Sequence, residues 1–232
     1  GQAGAAVVVA ARNEEKSAAA VEELGALSVE AVSVRVDVTD SSSCRTMVEE
    51  VMQRFGRLDV LVNNAGTNIR RQPQDYTIDE WRTVIDTNLT SAMLCCQLAY
   101  PLMVEGGGGK IINVGSILSR EAFIDVTVYT ASKHAVTGRT RAFAAELGRH
   151  SIRVNSVHPG PVLTAMSTGD MVTALGAAMD TNPQLANMMT PFLPTWAVQP
   201  EDVADAVCWL ASDESRYVTA SAIPVDQGST HY

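Results

Sequence analysis

Residues 58–66 read Leu-Asp-Val-Leu-Val-Asn-Asn-Ala-Gly: a short apolar run, then two asparagines, then two residues too small to fill the space behind them. A run of this length, rich in Val and Leu and closed by turn residues, predicts a buried strand over Leu58–Asn63. The same grammar recurs outward in both directions. Toward the N-terminus, strands are expected at Ala5–Ala11 and Ala31–Asp37, with helices at Glu14–Gly25 and Ser41–Phe55, the latter closed by Gly56. Toward the C-terminus, Thr77–Met103 reads as one long helix opened by Thr77 with Glu80 three residues on, a capping-box pattern. A Gly106–Gly109 turn, a strand Lys110–Val114, a helix Tyr129–Gly148 and a strand Ile152–Val157 follow. Pro159 to Pro200 is irregular, with short helices; then come a helix Pro200–Ser212 and a last strand Ala222–Val225.

Alternation of apolar strands with helices predicts an α/β chain: a single domain over residues 1–232, with a doubly wound, Rossmann-like parallel sheet and helices on both faces. Ligands of such sheets sit at the carboxyl ends of the strands. That singles out Arg12, Asp37, Asn63–Gly66, Ser116 and Pro159–Gly160.

Composition narrows the partners. The 232 residues carry a net charge of −9. Nucleic acid and anionic membranes both ask for clustered Lys and Arg, so neither is expected as a partner. No apolar run approaches the ~20 residues of a membrane span. Cys44, Cys95, Cys96 and Cys208 have no metal-ligand spacing and read as buried free thiols, which points to the reducing cytoplasm and to no bound metal.

The chemistry centres on Tyr129-Thr-Ala-Ser-Lys133. Four residues apart on a helix, Tyr and Lys share a face. A nearby ammonium favours the phenolate, so the tyrosine oxygen can take a proton from an alcohol or return it to a carbonyl. Alone, the pair is weak evidence and more often describes a packing tyrosine beside a surface lysine. Ser116, just past a strand, can donate to a substrate oxygen as charge develops, or be a turn serine beside Gly115. Asn88, inside the long helix, is an unusual interior residue.

In order and spacing, Asp37-Val38-Thr39, Asn63–Gly66, Asn88, Ser116, Tyr129 with Lys133, and Pro159-Gly160 resemble the classical short-chain dehydrogenase/reductase family, over nearly the whole chain. The resemblance implies an enzyme that moves hydride between a nicotinamide and an alcohol or carbonyl carbon. Tyr129 would be the acid/base and Ser116 would orient the substrate. Lys133 would lower the tyrosine pKa and hold the nicotinamide ribose. Asn88 would bind a water continuing a proton relay. Asp37 and Val38 would flank the adenine, with Asn64, Ala65 and Gly66 on the adenosine ribose side. Pro159, Gly160, Val162 and Thr164 would face the carboxamide. Family members are usually tetramers, so a homotetramer or homodimer is expected. At the end of the Ala5–Ala11 strand, an acid would bond free ribose hydroxyls and an arginine would accept a 2′-phosphate; Arg12 stands there, favouring NADP(H) over NAD(H).

Departures matter as well. The family's Thr-Gly-x-x-x-Gly-x-Gly turn is not in this sequence, which opens Gly1-Gln2-Ala3-Gly4 directly before what corresponds to the family's second strand. The unit of about 25–30 residues that would hold it is expected in a longer chain. Without it two strands would face each other unpaired, and cofactor binding would be in doubt. Near the C-terminus, Ala220 and Gln227 stand where glycine is common, read here as packing variations.

Substrate hints diverge. Ala65–Arg71 with Glu80-Trp81 and Asp86–Leu89 resembles the gluconate-type sugar-acid dehydrogenases, where Arg70 or Arg71 would meet a carboxylate. Val157-His158-Pro159 and Pro200–Val225 resemble the carveol-type terpenoid-alcohol dehydrogenases. Residues 161–199, with Met166, Met171, Met179, Met188 and Met189 beside Phe192, Leu193 and Trp196, suit a lid over an apolar alcohol or ketone, or a subunit contact. A 3-oxoacyl thioester is a further candidate. Outside this class stand an epimerase or dehydratase and a catalytically silent nucleotide sensor on the same fold. His158 reads as structural.

Overall fold

A computed structural model of the chain describes every residue except 165, 167–169, 184–189 and 231–232. The strands are β1 (Val7–Ala11), β2 (Ala31–Arg35), β3 (Val60–Asn63), β4 (Gly109–Val114), β5 (Ile152–Pro159) and β6 (Ala222–Val225). The helices are α1 (Glu14–Ala26), α2 (Ser41–Phe55), α3 (Ile78–Ile85), α4 (Ser91–Glu105), α5 (Thr127–Leu147), α6 (Asp170–Thr181) and α7 (Pro200–Ala211). All strand pairs are parallel.

Alternate residues of β4 show how the layers form. Ile111 packs with Cys96, Ala99 and Met103 of α4 and Ala144 and Leu147 of α5. Its neighbour Ile112 points the other way, to Val157 of β5 and Leu210 of α7. Successive side chains of a strand face opposite sides, so a continuous apolar strand demands helices on both faces, and the expected Rossmann-like architecture is what forms.

Local chemistry sets the ends of the helices. Asn13 caps α1 by accepting from the Lys16 N–H, Asp40 caps α2, and α2 stops at Gly56, which takes the left-handed conformation. Thr77 and Glu80 complete the capping box of α3.

Four expectations change. The long helix is two helices, α3 and α4, joined by a π-helical turn over Asp86–Thr90. The irregular 159–200 stretch contains a twelve-residue helix, α6. Cys208 is exposed, while Cys44, Cys95 and Cys96 are buried. Ala220 and Gln227 have φ of 59° and 55°; they mark left-handed turns, where a Cβ is strained, and are not packing variations.

The sheet is hydrogen-bonded in two parts, β1–β2 and β3–β4–β5–β6. Among the described residues no ladder joins β1 to β3. Val8 and Leu61, one from each, nevertheless pack on the same cluster of Val34, Val36, Cys44, Met47 and Cys95.

Candidate active site

The π-helical turn places the first site residue. Widening the helix by one residue turns Asn88 inward, where it is 4% exposed. Its Oδ1 accepts from the Thr67 N–H at 2.8 Å. Its Nδ2 donates to the Thr67 carbonyl at 3.0 Å and to Ser132 Oγ at 3.0 Å. Ser132 Oγ in turn donates to the Tyr129 carbonyl at 2.7 Å. Asn88 therefore locks the loop after Gly66 to the first turns of α5.

Lys133, 4% exposed, donates from Nζ to the Val114 carbonyl at 2.8 Å, at the end of β4. Among the described residues that is its one hydrogen bond, which leaves two N–H donors for a ligand. Burial pushes the ammonium down to about 8, and Arg139 on the same helix adds to the shift.

Tyr129 lies one turn earlier, its ring centroid 5.5 Å from Lys133 Nζ. Burial holds its phenol above the ordinary value, against a hydrogen bond with Ser116 that lowers it. In this arrangement the Lys133 ammonium lies toward the ring, bonded to Val114, and at the phenol desolvation outweighs the Ser116 hydrogen bond.

Ser116 is buried at the end of β4. Its Oγ accepts from the Leu118 N–H at 3.1 Å, and its own N–H donates to Ser119 Oγ. The residue that fixes its backbone is His158, 42 positions away. Nδ1 of His158 lies 3.0 Å from the Ser116 carbonyl and Nε2 lies 2.7 Å from Ser156 Oγ. Burial lowers the His158 pKa, which favours a neutral ring that donates from Nδ1 to Ser116 and accepts from Ser156. Its structural role holds. Gly115 makes the contact possible: a Cβ there would lie 2.7 Å from the imidazole.

The remaining residues ring this cluster at the carboxyl ends of the strands. Gly66 faces Asn88 Oδ1 and Lys133 Nζ, which would lie 3.5 and 3.7 Å from a Cβ at that position. Asn64 and Ala65 are exposed beside it. Gly160 donates to the Val225 carbonyl and abuts Asp226, whose Cα would be 3.0 Å from an added Cβ. Past it, Val162 pairs with Val198 across the base of the 161–199 segment, and Thr164 donates its N–H to the Val162 carbonyl. Asp37 is engaged within its own turn: Thr39 donates to it from Oγ1 at 2.7 Å and from N at 3.0 Å, holding the carboxyl below its usual range. Val38 lies beside it, and Arg12 is exposed at the end of β1.

Sequence reasoning missed two participants. One is Asn113, whose Oδ1 accepts from Asn63 Nδ2 at 2.9 Å; the other is Arg139. Arg139 NH2 donates to that same oxygen at 3.0 Å. Asn113, in the middle of an apolar strand, was the available signal.

The donor set fits a nicotinamide nucleotide in part. A buried ammonium with spare donors, a small-residue shelf at Ala65-Gly66 and an exposed Arg12 suit ribose, ring and phosphate. The family's glycine-rich phosphate turn is not in the sequence, so the residues present account for only part of such a ligand.

A family model described as enoyl-(acyl carrier protein) reductase matches residues 1–230. A short chain dehydrogenase from Mycobacterium paratuberculosis, solved bound to NAD, is 47% identical with a TM-score of 0.92, over 100% of this chain and 91% of that one. A gluconate 5-dehydrogenase from Burkholderia cenocepacia, solved with NADP and tartrate, is 30% identical with a TM-score of 0.87, over 100% and 88%. The trans-4-hydroxycyclohexanecarboxylate dehydrogenase of Sinomonas cyclohexanicum is 36% identical over 233 residues, covering 98% of this chain and 84% of its own. With the strand-end constellation of Asn88, Ser116, Tyr129 and Lys133 in place, the chain belongs to the short-chain dehydrogenase/reductase family, nicotinamide-dependent oxidoreductases acting on CH–OH groups.

Proposed function

We propose that the protein interconverts a cyclic or otherwise compact secondary alcohol and its ketone, with Tyr129 as the acid/base and NADP(H) preferred over NAD(H). The observation that carries the reading is the continuous hydrogen-bonded path from Thr67 through Asn88 and Ser132 to the backbone of Tyr129, whose phenol is in turn hydrogen-bonded with Ser116.

The bound nicotinamide supplies or accepts the hydride. Everything else falls to side chains. Tyr129 Oη holds the substrate oxygen and takes its proton on oxidation or returns it on reduction. Ser116 Oγ steadies the same oxygen as charge builds. Lys133, with two donors unused, holds a ribose and favours the phenolate when the Tyr129 proton leaves. Asn88, through the Thr67 loop, holds a water that carries the proton onward. Asp37, Val38 and Asn64–Gly66 line the adenosine side; Pro159, Gly160, Val162 and Thr164 face the carboxamide.

Arg12 supports the NADP(H) preference. It is exposed at the end of β1, and the residue directly after that strand is an arginine where an acid would bond free ribose hydroxyls. The segment over 161–199, read as the substrate lid of a single-domain protein, leaves Leu163, Met166, Phe192, Leu193 and Trp196 exposed. These suit an apolar substrate body, or contacts within a cytoplasmic homotetramer or homodimer. Met188 and Met189 lie outside the described residues, as does the side chain of Met171.

A second reading, a substrate that also bears a carboxylate, is favoured by one contrast. Arg71 is tied to Glu80 at 2.8 Å, whereas NH1 of Arg70 is buried with no partner. Trans-4-hydroxycyclohexanecarboxylate would satisfy both readings at once, and cyclohexanol only the first. The test is oxidation of each with NADP+ and with NAD+. Turnover with NADP+ at lower KM supports the proposal. Equal preference, or turnover with NAD+ alone, removes the Arg12 assignment, and equal KM values for the two alcohols remove Arg70.

A further inference from the structure

Arg139 is a cation in an unexpected place. It lies on α5 with its Nε sealed from solvent and without a partner. Among the described residues no carboxylate comes within ion-pair distance of it. An unpaired buried guanidinium is costly, so packing alone gives no reason for an arginine there.

Its two hydrogen bonds locate what it does. NH1 donates to the Leu89 carbonyl at 2.8 Å, and NH2 to Asn113 Oδ1 at 3.0 Å. Leu89 follows Asn88 within the π-helical turn. Asn113 precedes Val114, whose carbonyl fixes Lys133, and lies three residues before Ser116. Asn113 Nδ2 also donates to Thr140 Oγ1 at 3.0 Å, closing the path back onto α5.

We infer that Arg139 is a positioning residue for the reaction: its planar fork ties the turn bearing Asn88 and the end of β4 to the helix that carries Tyr129 and Lys133. This rests on the catalytic reading given above. A fork with two donors in fixed geometry can span two acceptors on different elements, and a lysine ammonium cannot reproduce that span.

The guanidinium also acts on Lys133 as a like charge. The groups facing Lys133 are Tyr129 and Arg139 from α5 and His158 from β5. Those facing Arg139 are Lys133 and, from α4, the thiols of Cys95 and Cys96, both pushed up by burial and neutral at pH 7. Removing the Arg139 charge therefore favours the Lys133 ammonium and raises its pKa.

The test uses the whole protein labelled with 13C-lysine. The chain has three lysines, Lys16, Lys110 and Lys133, so each can be followed by NMR. In the unsubstituted protein Lys133 should titrate at about 8. Arg139→Met should move that midpoint upward, and Arg139→Lys should return it. In turnover of trans-4-hydroxycyclohexanecarboxylate, Arg139→Met should lower kcat about tenfold or more, with KM within about twofold. Arg139→Lys should recover only part of kcat, because it keeps the charge and loses the fork. A folded Arg139→Met protein with unchanged midpoint and kcat would overturn the inference. If the Met variant does not fold, the Lys variant decides: full kcat from it overturns the fork. The titration needs no substrate. A midpoint that moves as stated in a protein without turnover would support the Arg139–Lys133 coupling and strike the catalytic reading instead.

Discussion

The two parts of the sheet are built to different standards. In β4 and β5 ten of the fourteen residues are buried, including polar Asn113, Asn155, Ser156 and His158, and each of these four polar side chains is hydrogen-bonded. In β1 no residue is fully buried, and β3 leaves Val62 40% exposed. The chemical groups belong to the first part. Arg12 and Asp37, proposed for the adenosine side, belong to the second. The residues proposed to handle the proton are thus held by the more buried part, while the residues proposed for the cofactor's adenosine end lie on a pair of strands that share a hydrophobic cluster with it.

Amide hydrogen exchange breaks or sharpens this contrast most strongly. Backbone amides of β4 and β5 should exchange at least about a hundredfold more slowly than those of β1 and β2, since local opening spans the range from near zero to global stability. Uniform protection across both parts would remove the distinction.

Glycine substitutions probe the same difference through packing. Gly115→Ala would drive a Cβ to 2.7 Å from His158 in the tightly packed part. It should cost about 1–3 kcal/mol by urea unfolding and disturb Ser116. Gly25→Ala, in α1 with open space around it, should instead stabilise by about 0.5–1 kcal/mol. A destabilising Gly25→Ala would mean that the β1–β2 part is packed more closely than described.

Lys133→Met should abolish turnover and yet raise the melting temperature at pH 7 by about 2–4 °C, as relief of about 1 kcal/mol in a chain of this size. The sign follows from linkage. The folded value of about 8 lies below the ordinary 10.5. Between those values the unfolded chain holds a proton that the folded one lacks, so stability from this group rises with pH there. The penalty is full below the folded value and gone above the unfolded one. The gain from Lys133→Met should therefore shrink as pH rises through that window. A gain independent of pH would point to packing.

The smallest effect expected is from Ala220→Gly. At φ 59° alanine is strained, and glycine should stabilise by about 0.5–1 kcal/mol, net of its greater freedom in the unfolded chain. No gain in urea unfolding would mean that the turn is held against strain by its neighbours.

Much of this was legible in the sequence, for local reasons. Ser41–Phe55 and Ala222–Val225 match their helix and strand because Asp40, Gly56 and the apolar run are near-neighbour signals. Tyr129 and Lys133 could be paired because helical spacing puts them on one face. The π-helical turn was not legible: one extra residue shifts the helix phase without altering composition, and the oddity of Asn88 was its only trace. Nor was the joining of His158 to Gly115, since contacts across strands of a parallel sheet span tens of residues. Arg139 looked like any charged helix residue; only its partners, Leu89 and Asn113, 50 and 26 positions away, give it a role.

The most direct test of the central claim is the turnover of Tyr129→Phe against the unsubstituted protein, with trans-4-hydroxycyclohexanecarboxylate and NADP+ and the loss of Oη as the only change. The account predicts measurable oxidation by the unsubstituted protein and a loss of kcat of about a hundredfold or more in the variant, with the fold intact by circular dichroism. A Tyr129→Phe protein that still turns over at the original rate would contradict it.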